Sequence, residues 1–140
     1  MYRKILLAYD GSEGANRALE AGIEIAKLHG AELMALAVQE RLPRFSGTID
    51  EVQEEKEFAD QQYGALLAAA QARAEKAGVA LPTLMRPGHP AQTIVQVARE
   101  GKFDLVLVGH RGLSGVWAAF LGTTAEKVSR HAPCSVLIVR

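Results

Sequence analysis

Apolar positions in this chain fall into two kinds of run. Short, continuous runs occupy residues 5–9, 32–39, 105–108 and 135–139, and a weaker one occupies residues 79–85. Runs of this length, rich in β-branched residues and bounded by glycine, proline or acid, predict strands buried on both faces. Between them the spacing changes to that of a helical face. Ala15, Ala18, Leu19, Gly22, Ile23 and Ala26 share one side of a first helix, with Ser12 as N-cap and Gly30 as stop. Ala59, Tyr63, Leu66, Leu67, Ala70, Ala74 and Ala77 mark a longer second helix ended by Gly78. Ala91, Ile94, Val95 and Ala98 mark a third, with Pro90 in its first turn; residues 125–131 form a fourth, broken by Pro133. Pro82 places the strand at 79–85 on a sheet edge. Residues 41–50 show no period and read as a surface loop. The acid-rich run from Asp50 to Asp60 reads as a solvated helix face. Strand and helix alternate four times before a final strand. Right-handed crossovers then give a doubly wound α/β fold, a five-stranded parallel sheet with helices on both faces.

The chemistry concentrates after the fourth strand. Gly109, Gly112 and Gly115 follow it at short intervals, and Gly122-Thr123-Thr124 opens the last helix. A strand, a glycine-rich loop and a helix start present free N–H groups and the positive end of a helix dipole, which together suit phosphate. The same residues also fit a structural loop: the glycines close a turn, and Thr123 with Glu126 matches a capping box. The two readings are compatible, because a capped helix still has amides to offer. Asp10 ends the first strand, at the sheet edge where open α/β folds bind ligands. It can accept from a ribose hydroxyl or an adenine amine, or bond loop amides instead.

The spacing Gly109, two residues, Gly112, nine residues, Gly122, then a hydroxyl residue, resembles the nucleotide-binding motif of the universal stress protein family, in its ATP-binding subgroup. The resemblance extends to Ala8-Tyr9-Asp10-Gly11-Ser12 at the start and Ala132-Pro133-Cys134-Ser135-Val136 at the end, so it covers nearly the whole chain. It implies a Rossmann-like fold of the adenine-nucleotide α-hydrolase type with strand order 3-2-1-4-5, and a switch point between strands one and four. By position, it implies that Gly109 lies by the ribose and that Gly112, Gly122 and Thr123 hold phosphates. It also implies that Val38 contacts adenine through its backbone. The nucleotide contacts expected are Ala8, Tyr9, Asp10, Val38, Gly109, His110, Arg111, Gly112, Gly122, Thr123 and Thr124. His110 departs from the Ser or Thr of many relatives. Arg111 can fork onto phosphate or pair with a surface acid. The cofactor implied is ATP or AMP, with Mg²⁺ or Mn²⁺ carried on the phosphates and Thr123 or Thr124 supplying oxygen. The resemblance further implies a homodimer through the last strand, residues 135–140.

Composition narrows the field. The length of 140 residues suggests one domain, and 16 basic against 16 acidic residues give no basic footprint for nucleic acid. Cys134 is the only cysteine, which suits a reducing cytoplasm. No stretch approaches the ~20 apolar residues that span a bilayer. The four histidines are too scattered for a metal site by spacing. No Walker lysine stands in the glycine loop, so nucleotide binding with slow or no turnover is expected. The apolar run Val116 to Leu121 is expected to fold onto the core or meet a partner. Three functions compete: a nucleotide-binding regulator of the stress response, a dimeric interaction module with an empty glycine loop, and a slow ATPase.

Overall fold

A computed structural model describes residues 1–40, 47–110 and 122–140. Five strands, β1 (Lys4–Ala8), β2 (Glu32–Gln39), β3 (Thr83–Pro87), β4 (Leu105–Gly109) and β5 (Ser135–Val139), alternate with four helices, α1 (Glu13–His29), α2 (Ile49–Lys76), α3 (Pro90–Glu100) and α4 (Thr123–His131). The sheet order is β3-β2-β1-β4-β5, with every neighbouring pair parallel. The doubly wound fold read from the pattern is therefore the fold observed. The central strands alternate between two cores. Ile5, Leu7, Leu105 and Leu107 face one cluster with α1 and α2; Leu6, Val106 and Val108 face the other with α3 and α4. A sheet covered on both faces needs such uninterrupted apolar runs, which is why the strands do not alternate with polar residues.

The helix caps follow local chemistry. Ser12 Oγ accepts from the Ala15 amide at 3.1 Å, and Gly30 closes α1 in the left-handed region at φ 63°. Thr48 and Glu51 form a reciprocal capping box at the start of α2. Residues 50–57 on that helix are all exposed, as the acidic run suggests.

Two expectations need correction. The third strand spans Thr83–Pro87, not 79–85. Pro82 sets the start, because its carbonyl accepts from Ala35 N–H at 3.0 Å but it has no N–H to continue the ladder backwards. It is nonetheless an edge strand. Thr123 also does not cap α4: Gly122 is the N-cap, with no side-chain cap bond, and Thr123 is already helical. Glu126 instead pairs with Arg130 at 2.8 Å along the helix. Arg111, Gly112 and the apolar run at 116–121 lie outside the described residues, as does most of the loop expected at 41–50.

Candidate functional site

The site is assembled at the C-terminal edge of the sheet, from the ends of β1, β2 and β4 and the start of α4. The topological switch falls there, because β1 leads by α1 to β2 on one side while β4 pairs with β1 on the other.

Hydrogen-bond alternation along β2 places its most informative residue. Tyr9 N–H donates to Leu36 C=O at 2.8 Å, so even-numbered residues of β2 turn their main-chain groups toward β1. Ala35 N–H donates to Pro82 C=O, and Gly88 N–H donates to Gln39 C=O at 3.0 Å, so odd-numbered residues face β3. Val38 belongs to the first set, yet the β1–β2 register ends at Ala8 opposite Leu36. Its amide and carbonyl thus point past the end of β1, and no described residue takes up either. A donor and an acceptor side by side on one residue suit the edge of a planar heterocycle that carries the complementary pair. Beside it, the buried Gln39 donates to Asp60 of α2 and to Met85 Sδ, which fixes the outer wall. Arg86 of β3 pairs in register with Val38.

Gly109 ends β4 where α1 comes closest. A Cβ on it would lie 2.8 Å from the Gly14 carbonyl carbon, 3.0 Å from its oxygen and 3.2 Å from Ala15 N. Glycine is thus required for helix-on-strand approach, whatever else the position does. His110 is buried; its N–H donates to Val139 C=O and its C=O accepts from Gly122 N–H, both at 2.7 Å. His110 therefore ties the end of β5 to the cap of α4 and fixes where that helix begins. Beyond Gly122, the amides of Thr123, Thr124 and Ala125 lie in the first helical turn. They bond no described residue.

The β1 end is partly occupied by its own chain. One Asp10 carboxylate oxygen accepts from Ser12 N–H at 2.9 Å, which holds the tight turn through Gly11 at φ 80°. Tyr9 is in the core, and its hydroxyl donates to Asn16 Oδ1 at 2.6 Å. Burial pushes the Tyr9 phenol above its ordinary value of 10.0, against an opposing pull from Arg73. Tyr9 thus offers this edge its main chain rather than its ring. Ala8 likewise contributes only backbone and a half-buried methyl.

The expected residues Ala8, Tyr9, Asp10, Val38, Gly109, His110, Gly122, Thr123 and Thr124 thus share one edge of the molecule. Sequence reasoning did not single out Gln39 and Asp60 as wall-forming partners. Their contact joins two elements far apart in the chain and leaves no local signature. No group of three or more His, Cys, Asp or Glu among the described residues could hold a metal ion. Among the described residues, no helix is long and apolar enough to cross a membrane.

Fold and geometry together define a doubly wound α/β protein whose switch point carries main-chain amides that bond no described residue. The chain belongs to the universal stress protein family, whose model matches residues 1–140. A universal stress protein of Thermus aquaticus is 38% identical over 144 residues, with both chains covered in full. Among solved structures, the universal stress protein UspA from Lactobacillus plantarum superposes with a TM-score of 0.89 at 27% identity, covering 99% of this chain and 98% of that one. A universal stress protein in complex with cAMP gives 0.76 at 28% identity, covering 99% and 97%.

Proposed function

We propose that this chain binds an adenine nucleotide at the C-terminal edge of its sheet and acts as a regulator, with little or no hydrolysis. The observation that carries the reading is the pairing, at one edge, of the Val38 amide and carbonyl with the first-turn amides of α4, none of which bonds a described residue. The first suits a base that shows an acceptor beside an amine; the second suits phosphate oxygens. The structural relative in complex with cAMP supports an adenine ligand. ATP and AMP both fit this scheme. A divalent ion would ride on the phosphates, since the described side chains supply no cage for it. The test is mass spectrometry of small molecules released on denaturing the purified protein, followed by calorimetric titration with ATP. Recovered adenine nucleotide, or a saturable ATP isotherm, is the expected result. Neither signal would leave the interaction module as the better account, and turnover at ordinary enzyme rates would favour the ATPase.

We further propose a symmetric homodimer through β5. That strand is a sheet edge, and Leu137 on it is 38% exposed. An uncovered apolar edge invites pairing with a second copy. Light scattering at micromolar concentration is expected to give twice the chain mass, and Leu137→Arg should return it to the monomer. A wild-type monomer removes the proposal.

A further inference from the structure

A second helix start meets the same edge of the sheet and has no part in the nucleotide scheme. α3 follows β3 through Gly88 and His89, with His89 as N-cap, Pro90 in the first turn and no side-chain cap bond. The Ala91 and Gln92 amides of that turn bond no described residue. A bare helix start is ordinary; what sets this one apart is Thr93, directly behind it. Thr93 is 9% exposed, and its hydroxyl bonds no described residue. A threonine within a helix commonly returns its hydroxyl to the carbonyl three or four residues back. Here the His89 carbonyl accepts the Thr93 N–H at 2.9 Å, and the hydroxyl stays out of that bond. Every described polar side-chain atom that is sealed from solvent has a partner, so this partnerless hydroxyl keeps an opening to the outside.

The hydroxyl is directed at the turn before the helix. Helical side chains tilt toward the N-terminus, and a Cβ on Gly88 would lie 2.7 Å from Thr93 Oγ1. Gly88 also stands at φ 139°, a conformation strained for any L side chain. Two separate demands thus keep the turn bare, with a hydroxyl at its back and main-chain donors at its side. Gly88 N–H donates to Gln39 C=O at 3.0 Å, which pins the turn to β2. The charge on this segment has one sign. Arg86 and His89 are both exposed, and the ion pairs of the described residues lie on α1, α2 and α4 and use neither. No Asp or Glu occurs from Lys76 to Arg99. We propose that the turn between β3 and α3 is a second anion site, for a phosphate group that is free or carried as a monoester on a small molecule. The Ala91 and Gln92 amides and the Thr93 hydroxyl donate to its oxygens, and Arg86 supplies the neutralising charge.

The test titrates inorganic phosphate and, separately, methyl phosphate into the full-length nitrogen-15-labelled chain, at constant ionic strength in potassium chloride. Saturable shifts of the Ala91 and Gln92 amides are expected, and the probe that saturates at the lower concentration identifies the source. Thr93→Val keeps the shape and removes the donor, so it should weaken that probe about tenfold. Because the hydroxyl has no internal partner, the same substitution should hold or raise the denaturation midpoint. Arg86→Gln, on an exposed side chain, should weaken the probe roughly threefold with the midpoint unchanged. The reporter amides lie on α3, so the outcome does not depend on whether Val38 and α4 hold a nucleotide. The proposal is overturned if neither probe saturates those amides, if chloride moves them as phosphate does, if either folded variant binds as tightly as the parent, or if Thr93→Val lowers the midpoint.

Discussion

Gly109→Ala is expected to lower the melting temperature by roughly 6–8 °C, equivalent to about 2 kcal/mol on a domain of this size. The added methyl would stand 2.8 Å from a main-chain carbon of Gly14. Carbon atoms in good contact sit ~3.5–4.0 Å apart, so α1 must retreat by a substantial fraction of an ångström. The obstacle is helix backbone, which cannot rotate away as a side chain can. The helix is held close along its length, since a Cβ at Gly22 would already lie 3.2 Å from Leu33 Cδ1. Overpacking a core costs about 1–3 kcal/mol, and the unfolded-state entropy removed by alanine returns only about 0.4–1. Gly64→Ala serves as the control. Gly64 lies in α2 with nothing within 4 Å of its notional Cβ, so the same substitution there should raise the melting temperature slightly. A Gly109→Ala protein as stable as its parent would show that α1 is not packed as described. Affinity for ATP should fall too, since Asp10, Ser12 and the turn between them ride on the start of α1.

Much of this was legible in the chain, and the limits have physical causes. The continuous apolar runs require a sheet covered on both faces, and the alternation of elements then leaves few topologies; hence the fold could be read without coordinates. Ser12 and Gly30 act locally, so their capping roles were also legible. Thr123 was not, because Thr-x-x-Glu fits a capping box one residue later than the chain enters the helix. The bond from Gly122 N–H to His110 C=O decides that entry, and it spans a dozen residues. The start of β3 turned on Pro82, whose missing N–H disfavours one ladder partner that only the register identifies. Gly109 read as a ligand glycine, and a backbone contact with α1 accounts for it first. Main-chain readers such as Val38 leave no trace in residue type. They follow from the parity of hydrogen bonding in the folded sheet, and without the family resemblance nothing in the sequence would have marked that position.

Val38→Pro separates that parity from ordinary strand chemistry. Proline within a central strand usually costs about 3 kcal/mol or more, because it removes a ladder hydrogen bond. Val38 is half-buried on a strand with neighbours on both sides, so by position alone the substitution should be ruinous. Its N–H, however, makes no ladder bond, since β1 has ended opposite Leu36. The expected cost is therefore below about 1.5 kcal/mol, mostly lost packing of the valine methyls. Ala37→Pro, one residue earlier, is the contrast: by the same alternation its N–H belongs to the β3 ladder, and it should unfold the protein or cost twice as much. Binding should respond in the opposite order to stability. If the Val38 amide holds the base, Val38→Pro should weaken ATP by about 10- to 100-fold while the fold persists, as loss of a buried hydrogen bond to a ligand implies. Chemical denaturation and calorimetric titration on the same samples measure both. A folded Val38→Pro protein that binds ATP as well as the parent would move the base away from β2. Equal damage from the two prolines would mean that the amide of Val38 has a partner within the sheet.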